Sequence, residues 1–122
     1  MNTHKPSRAL AQEMADRSHC AVQVGAVVED AHGIFSWGWN HEGSNGRGCH
    51  AEVHAILRAN KRRLRNAKIT VFGKYRRNNN PVVSKPCDNC AAILKFFGVL
   101  ETEYYARNHW RQEVYQSQGA PR

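Results

Sequence analysis

His50-Ala51-Glu52 and, further along, Pro86-Cys87-Asp88-Asn89-Cys90 are the runs from which the rest of the chain is read. One imidazole and two thiols make three candidate metal ligands, with a carboxylate two residues beyond the histidine. Three protein ligands leave the fourth tetrahedral position of a zinc ion for water, which separates a catalytic zinc from a closed structural one. If each run opens a helix, its side chains sit where backbone N–H groups point outward. That positive end lowers thiol pKa and favours the thiolate that metal binding needs. Cys87 and Cys90 are three apart, so both sulfurs face one side of a first turn. Pro86 suits a first helical position. Glu52 lies about 200° round a helix from His50, so it reaches past the metal instead of adding a ligand, which suits a proton shuttle. A lone C-x-x-C also fits half of a zinc ribbon or a redox pair, and a lone H-x-E carries little. The two in this order are specific.

H-x-E followed by P-C-x-x-C is the signature of zinc deaminases, with the Glu as acid/base and not a ligand. On these residues the chain resembles the cytidine/deoxycytidylate deaminase superfamily, and its P-C-x-x-C-A…G-V…Y-Y run looks most like the deoxycytidylate-type members. The resemblance implies an α/β, three-layer fold with a mixed central sheet of four to five strands flanked by helices. It implies Zn2+ on His50, Cys87 and Cys90, and hydroxide attack at the amine-bearing carbon with Glu52 moving the proton. It also implies that the Ala51 N–H binds the base carbonyl and that Asn40 binds the sugar at the pocket mouth. The other reading of Asn40 is a strand-end residue supporting a turn. Asn40-His41-Glu42 is similar to the N-x-E of free-nucleoside cytidine deaminases. The tRNA adenosine branch carries an acidic residue before Pro-Cys, where this chain has Ser84-Lys85; that departure tilts the reading towards cytosine.

With 122 residues the expectation is one domain over 1–122, with 117–122 a flexible tail. No apolar run is long enough for a bilayer and the first residues lack a signal peptide's apolar stretch, so a cytoplasmic, reduced setting is the default expectation. Cysteines then read as thiols and ligands. Cys20 is expected to pack as a small hydrophobe, and Cys49 is not counted as a fourth ligand. The net charge is +8, and ten of the eighteen basic residues lie from Arg58 to Lys85 with no acidic residue among them. Such a block attracts phosphates; the plainer reading is a solvated helix face and a basic loop.

Along the chain, 7–19 reads as a helix with Ser7 as N-cap and Leu10, Met14 and Arg17 near helical spacing. Residues 21–29 and 34–40 read as a hairpin, in which Gly25 marks close approach by a backbone or ligand. After His50 a stripe of Val53, Ile56, Leu57, Asn60 and Leu64 predicts a long helix, with His54 packed or lining the pocket. Residues 69–75 form a third strand, 87–97 a helix closed by Gly98, and 103–106 a fourth strand. No fifth strand is evident. Trp110 to 116 reads either as a short helix over the sheet edge or, with Arg107, His109 and Arg111, as a stacking and phosphate-binding surface.

Three functions follow in order of preference. The first is a zinc-dependent hydrolase of C–N bonds that converts cytosine to uracil in a nucleoside or nucleotide. The second is a deaminase of cytosine or adenine in single-stranded DNA or RNA, including tRNA. The third is a non-catalytic zinc-stabilised nucleic-acid-binding module, against which the intact Glu52 speaks. Expected partners are the nucleoside, nucleotide or single-stranded substrate, no membrane, and a second copy of the chain, because a short sheet with an uncovered edge gains from one.

Overall fold

The computed structural model describes residues 5–42 and 50–115, which form helices on both faces of one mixed sheet. Pro6, which has no N–H to lose, opens α1 (Pro6–Arg17). Lys5 takes the cap position, so Ser7, expected there, lies inside the first turn and is buried. The buried face is Ser7, Ala11, Met14 and Ala15. Small residues are required on it because α1 lies directly on Gly25 of β1 (Val22–Asp30). A methyl at Gly25 would fall on the Ala11 carbonyl oxygen and within 2.5 Å of the Ala15 nitrogen. The close approach expected at this glycine is therefore made by helix backbone.

β1 turns into β2 (Gly33–Trp39) through an Asx turn, in which Asp30 Oδ1 accepts the His32 N–H at 2.9 Å and Gly33 adopts φ +119°. α2 (Ala51–Arg58) is shorter than the apolar stripe predicted. Ala59 is extended, and the Asn60 side chain accepts the Arg62 N–H at 3.0 Å to cap a 3-10 turn, Lys61–Arg63. An Asn that offers the backbone its own acceptor ends the helix there. Leu64 reaches the core from beyond that turn, fully buried. Arg63 in turn holds Asp30 through two hydrogen bonds of 2.7 Å, and these keep the Asp30 carboxyl below the usual range.

β3 (Lys68–Tyr75), β4 (Pro81–Val82), α3 (Asp88–Phe96), β5 (Glu101–Ala106) and β6 (His109–Val114) complete the order. The sheet has six strands in the order β2-β1-β3-β5-β6 with β4 on β3, and of these pairs β3–β5 alone is parallel. This is the α/β layered fold expected, with more strands than the four to five foreseen. The segment from Trp110 is β6, not a helix. Arg107 and Asn108 take φ of 52° and 70°, the left-handed conformation of a tight two-residue hairpin, and Ala106 pairs with His109 across it. Trp110 packs on Tyr105 and Phe72 with Arg8 above its ring, so its indole joins the core beside α1 instead of forming a separate stacking surface.

Alternation along the strands sends Val27 and Phe72 to α1, and Ala26, Val28, Ile69 and Val71 to Ala55, Ile56 and Leu94 on α2 and α3. Each fully buried Ile or Leu side chain contributes about 1.5–3 kcal/mol. On the α1 face, Glu103 has a fully buried side chain, ion-paired with Arg8 and, at 3.3 Å, with Lys68. Burial pushes its carboxyl up, yet the Arg8 hydrogen bond and the Lys68 charge outweigh burial and hold it below the usual value. Among the described residues no helix is long and apolar enough to cross a membrane.

Two outcomes are expected. Gly25→Ala destabilises the protein by about 2–3 kcal/mol in urea unfolding, since helix backbone cannot yield cheaply. Glu103→Gln costs about 2–3 kcal/mol near pH 7. The Glu103 contribution is complete above its unfolded pKa of about 4.3 and fades as pH falls through the lower folded value. The gap between wild type and Glu103→Gln therefore closes in acid, and a gap independent of pH contradicts the ion-pair account.

Candidate active site

Where β2 and β3 end and β1 begins, Val22 pairs with Tyr75 and Gly25 with Trp39. The parallel pairing of β3 with β5 runs only as far as Val71 and Tyr104. Ser84 fills the space beyond. Its N–H donates to the Tyr105 carbonyl at 3.0 Å, the Tyr105 N–H donates to Ser84 Oγ at 3.1 Å, and the hydroxyl lies 3.2 Å from the Val71 carbonyl. This seam fixes the run Ser84-Lys85-Pro86 and delivers Cys87 to the start of α3.

His50 occupies the N-cap of α2 and Cys87 the N-cap of α3, both extended, and neither side chain caps its own helix. Pro86, expected at a first helical position, precedes the cap instead. Cys90 sits in the first turn of α3 and is buried. His50 Nδ1 lies 3.1 Å from Cys90 Sγ and 3.7 Å from Cys87 Sγ, and the three ligand atoms fall within 4.8 Å of one another. Ligands placed at about 2.0–2.3 Å from one tetrahedral zinc ion stand roughly 3.5–4 Å apart, so these separations bracket the geometry zinc requires. One nitrogen and two sulfurs are the donor set of zinc, not of magnesium or calcium.

Beside this cluster a cleft of about 210 Å³ opens, lined by Glu52, Asn40, Ser84 and Lys85 and walled by Val22, Val24, Val82 and Val83. Glu52 is 6% exposed. Burial raises its carboxyl pKa, opposed by its own backbone N–H and by the charge of His50. A carboxyl so placed takes up and releases a proton more readily near neutrality than a solvated one. Asn40 lines the same cleft while tying the strand end: its Nδ2 donates to the Val22 carbonyl and its Oδ1 accepts the Val24 N–H, each at 2.8 Å. Asn40 thus ties the chain after β2 to the first residues of β1.

His54 lies outside the ligand cluster. Its Nδ1 accepts the Trp39 N–H at 3.1 Å and stands 3.1 Å from His41 Nε2, so it packs in an aromatic group with both residues. Burial lowers its pKa, helped by the charges of His41 and Arg58. Cys20 is half-buried, with its thiol 3.8 Å from the Asn40 carbonyl. Cys49, the glycine-rich run 43–48 and the tail 117–122 lie outside the described residues.

The model of the cytidine and deoxycytidylate deaminase zinc-binding region matches residues 1–106. The chain belongs to that family. Its members are zinc-dependent hydrolases of C–N bonds, and the His50, Cys87 and Cys90 cluster fits their zinc ion. Among solved structures, cytidine deaminase from Burkholderia pseudomallei superposes with a TM-score of 0.71 at 22% identity over 93% of each chain. The dCMP deaminase of cyanophage S-TIM5 gives 0.64 at 20% identity over 84% of this chain and 86% of that one. Cytidine deaminase from Mycobacterium tuberculosis gives 0.59 at 17% identity over 85% of each. These likenesses establish the deaminase fold. Among curated proteins the comparison finds no significant match.

The deaminase signature marks the zinc cluster and Glu52, but it gives no hint of the valine wall or of Lys85 as a lining residue. The one available signal was position: Ser84 and Lys85 immediately precede Pro86-Cys87, so whatever anchors Cys87 also anchors them.

Metal binding is coupled to folding in a site of this kind. A chelator should therefore lower the wild-type thermal midpoint. Cys90→Ala should purify without zinc by elemental analysis, and chelator should leave its midpoint unmoved. Full zinc occupancy in Cys90→Ala would remove that residue from the ligand set.

Proposed function

We propose that this deaminase converts cytosine to uracil in a free nucleoside or nucleotide. The observation carrying the proposal is the buried Glu52 carboxyl, facing the same cleft as His50 and Cys87, with its pKa raised by burial. His50, Cys87 and Cys90 would hold the zinc ion, which when bound supplies a water acidic enough to ionise near neutrality. Glu52 accepts the proton of the attacking water, hands it to the ring nitrogen and then serves the departing ammonia. The valine wall from Val22, Val24, Val82 and Val83 takes the face of the base and excludes bulk water. The first N–H groups of a helix have no partner within it, and that of Ala51 is assigned to the base carbonyl. Asn40 makes two backbone bonds, which leave its amide one further hydrogen and a lone pair for a sugar hydroxyl.

A second reading has one observation in its favour. Trp37 and Trp39 line the outer strand, with Arg58 5.8 Å above each ring and Arg17 5.5 Å above Trp39, and Asn40 of the cleft follows directly. Guanidinium groups over indoles suit single-stranded nucleic acid, whose bases stack and whose phosphates need cations.

The test is ammonia release by zinc-loaded protein from cytidine, deoxycytidine, dCMP, dCTP, adenosine and single-stranded DNA and RNA oligonucleotides. Free pyrimidines are expected to turn over, and Glu52→Gln, which keeps side-chain volume and zinc, is expected to lower kcat at least about 10³-fold. Turnover of oligonucleotides alone would replace this reading with the second. Undiminished turnover in Glu52→Gln would remove Glu52 from the mechanism.

A further inference from the structure

Among the described residues that line the cleft, Lys85 is the one Lys or Arg. Its side chain is 56% exposed and its Nζ lies 3.2 Å from Glu113 Oε2 on β6. The same carboxylate oxygen accepts the Tyr104 hydroxyl at 3.0 Å. Tyr104 is buried in the α2–α3 core, so Glu113 is steered from a fixed point. Lys85 itself is fixed at its root, because the Ser84 seam and Pro86 flank it. A cation thus stands at the rim of a cleft that four valines share with Asn40, Ser84, Glu52 and the ligand residues His50 and Cys87, held in reserve by one counter-charge from a neighbouring strand.

We infer that Lys85 reads the phosphate of a nucleotide substrate and that Glu113 is the counter-ion it leaves when the phosphate arrives. The inference rests on the free nucleoside or nucleotide reading above and names the preferred form, the phosphorylated one. A phosphate monoester carries about −1.5 to −2 at pH 7 and three acceptor oxygens, against a single negative charge on Glu113. The ammonium therefore gains by exchanging carboxylate for phosphate, in a charge-assisted bond of the stronger kind. Glu113 keeps the Tyr104 hydrogen bond after the exchange, so it is not left without a partner. Its remaining negative charge repels the phosphate and sets how strongly the nucleotide is preferred. Lys85 is a specificity residue on this account, and Glu113 acts through it.

The measured quantity is the ratio of kcat/KM for dCMP to that for deoxycytidine, in wild type, Lys85→Met and Glu113→Gln. Lys85→Met keeps the aliphatic stem and is expected to lower the ratio about tenfold, the effect of one charge-assisted contact. Glu113→Gln keeps the hydrogen bond to Tyr104 and is expected to raise it severalfold. Calorimetric binding of dUMP against deoxyuridine gives the same ratio without turnover, so the inference is decided separately from the proposed activity. A ratio within twofold of wild type in Lys85→Met, by either measurement, overturns it. So does an equal loss on both ligands, which would make Lys85 a structural residue. Absence of turnover with the binding ratio still shifted would overturn the activity and leave the phosphate contact standing.

Discussion

The site depends on bringing two helix starts to one end of the sheet. His50 is the N-cap residue of α2 and Cys87 that of α3, and the β3–β5 parallel pair brings the second of these helix starts there. Parallel strands require a crossover, and the helix of that crossover starts beyond the end of the first strand. Here that helix is α3, so Cys87 and Cys90 arrive where β3 has ended. The hairpin of β1 and β2 sends the chain back to the same end, and His50 follows. Backbone N–H groups at both helix starts add positive potential beside the ligands, each end worth about 0.3–1 kcal/mol to a nearby negative charge. Zinc chemistry and substrate access are thus both consequences of where two short helices begin.

Close packing under this arrangement keeps it rigid. Gly25 lets α1 settle on the sheet, and Gly38 does the same for α2, where a methyl would come within 2.6 Å of the Ala55 nitrogen. With α2 pressed against β2, Ser36 donates to the Ala55 carbonyl at 2.6 Å and Trp39 donates to His54 one turn beyond His50. The ligand helix is therefore indexed to the strand that leads into Asn40. The Glu103 cluster performs the corresponding task on the opposite face, tying α1 to β3 and β5 through charges.

Much of this could be read from the sequence because the chemistry is local. H-x-E and P-C-x-x-C each lie within about one helical turn, so spacing placed the side chains of each run, and that the two runs meet was implied by the deaminase resemblance. The hairpin, the close approach at Gly25 and the Gly98 terminus, with φ +87°, are equally local. The failures were of another kind. β6 escaped because only Trp110 and Val114 of its six residues are apolar and its turn is Arg107-Asn108, without the glycine that usually marks such a hairpin. The long helix after His50 failed because Leu64 keeps helical phase with Ile56 although Asn60 breaks the backbone between them. Lys85 and Glu113 could not be paired from the sequence at all, since their meeting depends on β6 lying against β5.

The most direct test of the central claim is X-ray absorption at the zinc edge of the purified, zinc-loaded protein. The account predicts two sulfur ligands at about 2.3 Å and two nitrogen or oxygen ligands at about 2.0–2.1 Å, one of them exchangeable water. Loss of a single sulfur in Cys87→Ala would assign it. A shell of three or four sulfurs, or two imidazoles with two sulfurs and no water, would make the zinc a closed structural centre and contradict the deaminase mechanism built on Glu52.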